Sequence, residues 1–224
     1  MLPYWLLFWL VLMACLLPRP LRKSQEELAW VVTIIVLALF VGFRHEVGGD
    51  WFNYANQFDY VARMSFGQAV RETKDLAYYP LGWIIARAGG AIYLLNFICA
   101  LVFSVGTVHF CRHQSRPSLA LLAAVPYLII VVGMGYTRQS AAIGCVLIGL
   151  VELAKARRLN FGLWVLIGAA FHKTAVLLVP IAGLAHSTNR WLTFLWVAVA
   201  SVSGYWVFIR DVSDALWQNY VEAD

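Results

Sequence analysis

Long apolar runs alternate with short polar ones along this chain. Residues 2–17, 28–43, 91–111, 118–134, 138–154, 160–184 and 191–209 are almost wholly apolar. A helix rises about 1.5 Å per residue, so roughly 20 apolar residues cross a hydrocarbon core. The pattern predicts an all-α fold, a polytopic transmembrane helical bundle. Residues 80–88 begin like a helix, with proline in the first turn, but Arg87 and Gly89-Gly90 follow too soon for a crossing. A short half-embedded helix is expected there. Residues 160–184 carry His172 and Lys173 in their middle, and a straight helix would leave Lys173 near mid-bilayer at about 2.5–3.5 kcal/mol. A break at 171–174 into a broken-helix hairpin avoids that cost, provided the irregular backbone is buried or lines a wet cavity. The blander alternative is a lysine snorkelling to the headgroups beside a core histidine. Counting these pieces gives about seven or eight membrane segments. Pro126 should kink its span. Small residues at Ala141, Cys145 and Gly149, and again at Ser140 and Gly144, suit a central helix packed closely on its neighbours.

Composition agrees with the pattern. The chain is 62% hydrophobic and 13% charged, with a mean hydropathy of +0.72, against about 25% charged residues in a soluble domain. Ten tryptophans and ten tyrosines suit a chain that crosses interfaces repeatedly. The net charge of +5 therefore bears on loop orientation. No basic stripe interleaved with aromatic residues suggests a nucleic-acid partner. Cys15, Cys99, Cys111 and Cys145 stand singly among apolar residues, and the histidines are dispersed. Neither metal nor cofactor is expected, and the cysteines read as small core residues. Residues 2–17 read as a first membrane helix. Leu12-Met-Ala-Cys15 faintly resembles a lipoprotein cleavage site, but a signal peptide needs a basic leader, and the first basic residue is Arg19.

Three loops are distinctly basic: 18–23, 112–116 and 155–158. Placing all three in the cytoplasm requires the spans between them to alternate, and they do. The cluster from Arg44 to Asp50, the run Tyr136-Thr-Arg-Gln139, and His172 then all reach the outer face. Any one of them reads blandly as a loop leaving the membrane. Their agreement suggests one extracytoplasmic pocket, since charges bordering spans are costly and mark functional sites by default. The polar stretch 44–79 should hold one or two amphipathic helices at the interface. A helix starting near Asp50 would set Asp50, Asn53, Tyr54 and Gln57 on one polar face.

These motifs resemble a known family, the EpsG-type, Wzy-like polysaccharide polymerases of bacterial membranes. The resemblance rests on Arg44-His-Glu-Val-Gly-Gly-Asp50 with Tyr54, on Tyr79-Pro-Leu-Gly82, on Thr137-Arg-Gln-Ser-Ala-Ala142, and on Phe171-His-Lys-Thr-Ala175. It implies a multi-pass protein of the bacterial cytoplasmic membrane, one integral-membrane domain over 1–224. Such a protein joins sugar repeat units carried on polyprenyl diphosphate: an acceptor hydroxyl attacks an anomeric carbon and the lipid diphosphate leaves. By that resemblance Arg138, and secondarily Arg44 and Lys173, would hold the diphosphate. His172 or Asp50 would be the base, and Tyr54, Gln139 and Thr174 would contact sugar hydroxyls. The implied partners are the lipid-linked oligosaccharide, membrane lipids, and other polysaccharide assembly and export proteins. The chain has Tyr78-Tyr79 where relatives often carry an acid, which counts against a catalytic role for that turn. Relatives commonly continue with further spans past the region matching 191–209, so a compact or C-terminally shortened chain is expected. A transporter or flippase for a lipid-linked sugar would need paired halves with matched breaks, and one break is found. A non-catalytic subunit of an assembly complex explains the hydrophobicity but not the three clusters.

Overall fold

The computed structural model describes residues 2–16, 22–71 and 75–178, together with positions 191, 194, 195, 198, 199 and 202. No strand occurs among them. The chain divides into two compact units, Met1–Ala175 and Val176–Asp224. In the second, Trp191, Phe194, Leu195, Val199 and Val202 are helical and exposed. The expected return arm of the hairpin, most of the last span, and the tail lie outside the described residues.

The first unit is built from α1 (Leu2–Leu16), α2 (Lys23–Gly42), α3 (Trp51–Ala62), α4 (Phe66–Arg71), α5 (Tyr78–Arg87), α6 (Ile92–Arg112), α7 (Pro117–Gly133), α8 (Thr137–Ala154) and α9 (Arg158–Phe171). Helices α2, α6 and α8 are long and apolar enough to cross a membrane, and α1, α7 and α9 are shorter apolar helices. Helix α2 starts earlier than the expected residue 28. Gln25 accepts a hydrogen bond from the Arg22 N–H at 3.1 Å, and Glu26 lies in the first turn, where the helix dipole favours an acid. A polar first turn thus extends the apolar run into a 20-residue helix.

The bundle alternates as expected. Glu27, near the start of α2, pairs with Arg112 at the end of α6. His45, just past α2, meets Tyr93 at the start of α6 at 2.7 Å. Asn160 of α9 donates to Glu152 near the end of α8 at 3.0 Å. The Arg22, Arg112 and Arg157 ends therefore gather opposite the Arg44, Thr137 and Phe171 ends. The outer faces of α1, α2 and α9 are apolar, with Trp9, Val32, Leu39, Leu163 and Leu166 exposed.

Helix α8 is central, as its small residues require. Ser140, Ala141, Gly144, Cys145 and Gly149 are all buried. A Cβ on Gly144 would lie 2.6 Å from the Phe103 Cα of α6. A Cβ on Gly149 would come 3.1 Å from Trp164 of α9. The two flanks of α8 thus receive two different helices.

Pro126 sits at the start of a change of winding within its helix. With no N–H, it cannot join the α ladder, and residues Val125–Gly133 wind as a wider π-helix. The stretch 44–79 holds two short helices, α3 and α4, and α5 spans only ten residues. At 15 Å or so, α5 is too short to cross. The expected polar face of α3 is corrected. Asn53 is exposed but Tyr54 is buried, because that side of α3 packs on α5: Tyr54 lies 6.0 Å from the Tyr78 ring, and Tyr79 donates to Gln57 at 3.3 Å. Helix α9 ends at Phe171, His172 is extended (φ −155°, ψ 115°), and a 3-10 turn, Lys173–Leu178, follows. The break falls where a buried cation would otherwise have been.

Gly144→Ala tests the close packing of α8. Overpacking of this kind costs about 1–3 kcal/mol, so the detergent-solubilised variant should melt several degrees lower. Gly162→Ala on α9, where a Cβ meets nothing within 4 Å, should melt at or above the unsubstituted protein.

Candidate functional site

Arg138 stands at the first turn of α8, at the end of the bundle where the polar clusters meet. Its Nη1 donates to Asp75 Oδ2 at 2.7 Å and to the Tyr79 hydroxyl at 3.0 Å. Its guanidinium carbon lies 5.5, 5.8 and 5.6 Å from the ring centres of Tyr54, Tyr78 and Tyr79. Three aromatic faces and one carboxylate therefore enclose the cation. Asp75 is 2% exposed, so this pair is largely shielded from water. Tyr54 and Tyr78 join Ile85, Leu95, Cys99 and Ala141 in one apolar cluster, and Phe171 packs against it. Burial pushes the Tyr54 hydroxyl up from its ordinary pKa, against the opposing pull of Arg138. It stays protonated, and its oxygen accepts from Arg138.

Arg44 reaches the same region from the end of α2. It is 5% exposed. Its Nη1 donates to the Val41 carbonyl at 3.0 Å, and its Nη2 to the Thr137 hydroxyl, which in turn donates to Asn96 Oδ1 at 3.3 Å. Three helices are stitched together by that chain. Its guanidinium lies 6.0 Å from the Trp51 ring centre, and it feels the Tyr54 and Tyr78 hydroxyls. Burial pushes its pKa down, and no carboxylate pairs with it among the described residues. The loop that follows is clamped to α7: Gly48 has φ +97°, and a Cβ there would lie 2.6 Å from the Met134 carbonyl oxygen. Both the left-handed backbone and the close approach require glycine.

The third cluster joins through the backbone. Ala77 N–H donates to the Ala170 carbonyl at 2.7 Å, fixing the Asp75 segment to the end of α9. His172 lies just beyond that end, and its buried Nδ1 has no hydrogen-bond partner among the described residues. Burial lowers its pKa, Asp75 works against that, and Arg138 and Lys173 add to it.

The remaining expected residues lie farther out. Asp50 stands at the residue before α3 without a side-chain capping bond, Asn53 donates to it at 3.4 Å, and it makes no hydrogen bond or ion pair with Arg138 or His172. Gln139 and Lys173 are exposed, and Thr174 is half-buried. Asp75 was missed by sequence reasoning. Its one signal was an acid beside Leu76-Ala-Tyr-Tyr79, a run too apolar and aromatic for an ordinary solvated loop.

The family model for EpsG matches residues 27–224. The chain belongs to the EpsG family. This makes it a membrane protein related to polysaccharide biosynthesis. No curated protein and no solved structure was found to match it.

Thr137→Val tests the Arg44 chain of hydrogen bonds. It keeps the side chain's shape but leaves a buried guanidinium N–H and the Asn96 oxygen without that hydroxyl. A buried donor left unsatisfied costs about 1–3 kcal/mol. The expected outcome is a lower melting midpoint, read by tryptophan fluorescence, with the Arg138–Asp75 pair intact.

Proposed function

We propose that this EpsG-family chain polymerises polyprenyl-diphosphate-linked sugar repeat units at the outer face of the bacterial cytoplasmic membrane. The single observation that carries this reading is the charge balance of the tyrosine-lined site. Buried Arg44 and half-buried Arg138 adjoin the same tyrosine pair, with one buried carboxylate, Asp75, between them in charge terms. A water-poor site with surplus positive charge favours an anion, and the guanidinium fork matches phosphate oxygens. Arg138 and Arg44 hold the leaving diphosphate, with exposed Lys173 at the margin. His172 takes the proton of the acceptor hydroxyl, because burial keeps its ring neutral near pH 7. Tyr54, Gln139 and Thr174 contact sugar hydroxyls. Asp50, away from His172, is the weaker base. Membrane lipids and other polysaccharide assembly and export proteins are its partners.

Purified protein in lipid nanodiscs, given a polyprenyl-diphosphate repeat unit, should yield products several units long. Failure of the unsubstituted protein to extend the repeat unit under conditions where it binds would defeat the reading. Arg138→Lys should lose at least about 100-fold in turnover with normal insertion, since a point charge cannot supply the bidentate fork.

His172→Gln should bind the lipid-linked substrate yet extend it about 100-fold more slowly, the usual scale for a lost general base. A histidine pKa depressed by burial leaves the working, neutral form dominant at neutral pH. Activity should therefore fall only as the outer medium is acidified below the ordinary imidazole range near pH 6.5. An unchanged rate and pH profile in the glutamine variant would leave His172 a packing residue.

Orientation has its own test. Single cysteines at Asp50 and at exposed Tyr136 should react with an impermeant thiol reagent in intact cells, and one at Arg157 should not.

A further inference from the structure

The Asp75–Arg138 pair is oddly made for a permanent buried ion pair. Buried pairs offset their desolvation only with good geometry and further hydrogen bonds, and arginine–carboxylate pairs are frequently bidentate. Here Nη1 alone serves both Asp75 and Tyr79. Arg138 Nε is buried with no partner among the described residues. The long edge of the guanidinium, which would grip a phosphate by two parallel hydrogen bonds, is not used by the carboxylate. The cation itself is held from three sides by Tyr54, Tyr78 and Tyr79, so it keeps its place if Asp75 lets go. Asp75 and His172 are each two residues from the hydrogen bond between Ala77 and Ala170, and the Asp75 charge acts on the His172 ring.

We propose that Asp75 is a displaceable counter-ion: it neutralises Arg138 before substrate binds, yields the guanidinium to an incoming diphosphate, and turns its carboxylate toward His172. This rests on the polymerase reading for its catalytic half but not for its binding half. Two anions cannot share one guanidinium at full strength, so Asp75 weakens diphosphate binding while it is charged. The proton that His172 accepts from the acceptor hydroxyl creates an imidazolium, and the freed carboxylate stabilises it. Asp75 is thus a positioning residue that trades affinity for turnover.

The test is Asp75→Asn in the full chain, with inorganic diphosphate as the binding probe. Removing the competing charge should tighten diphosphate binding about tenfold, while turnover with a lipid-linked repeat unit falls at least tenfold. Asp75→Glu, which keeps the charge, should restore most of the turnover and none of the extra affinity. Diphosphate binding that is unchanged or weaker in Asp75→Asn overturns the exchange. Chain extension is read separately: tighter binding without any extension by the unsubstituted protein defeats the polymerase reading and leaves the exchange standing. Should Asp75→Asn fail to accumulate, protein carrying Asp50→Asn serves instead. Its infrared difference spectrum on adding diphosphate should show an aspartate carboxylate band leaving its ion-paired position. An unaltered carboxylate region overturns the exchange.

Discussion

The backbones of α6 and α8 approach each other where Phe103 and Gly106 meet Gly144, in a medium that gives apolar helices little reason to associate. Lipid tails are as apolar as leucine, so helix association in a bilayer depends on close van der Waals packing and on polar contacts between helices. Glycine permits that closeness. It also fixes the depth of α8 relative to α6, and with it the height at which Thr137 and Arg138 present themselves. Arg44 can reach Thr137 only because α2 packs on α6 and α6 on α8. The polar end of the bundle is a consequence of contacts made about two turns away.

Two arginines at that end are kept in different ways. Arg138 has a carboxylate and three aromatic faces; Arg44 has a carbonyl, a hydroxyl and one indole. The first arrangement balances charge, and the second supplies dipoles only. An uncompensated buried cation is costly, and keeping one beside a compensated one makes the region electropositive without making it unstable. A region so charged favours an anion.

Much of this was legible in the sequence, because membrane helices obey coarse rules. Apolar length located α2, α6 and α8, basic loops set their alternation, and a lysine in an apolar run marked the break after Phe171. Small residues at fourfold spacing identified α8 as the packed helix. What could not be read were contacts that depend on tertiary placement. The pattern Asp50, Asn53, Tyr54 and Gln57 is polar by letter, yet Tyr54 is buried, since an amphipathic helix can turn a hydroxylated ring inward when it meets another. Asp75 stayed hidden for the same reason: burial of a single acid in a polar stretch leaves no periodic trace. The polar start of α2 was missed because hydropathy is blind to capping.

The wide turns of α7 have a consequence for everything after them. Each residue advances an α-helix by about 100°, so the extra residue taken up by a π-turn changes the compass bearing of the chain beyond it. Helix α7 ends almost directly in α8, with Tyr136 as the single non-helical residue after Gly135. The Met134 carbonyl that Gly48 packs against, and the Thr137 hydroxyl that receives Arg44, inherit their bearings from the winding of residues 125–133. Deleting one residue there would swing both away from their partners while leaving the apolar length of the helix sufficient. The winding that starts at Pro126 thus bears on how the end of α7 and the start of α8 meet their partners.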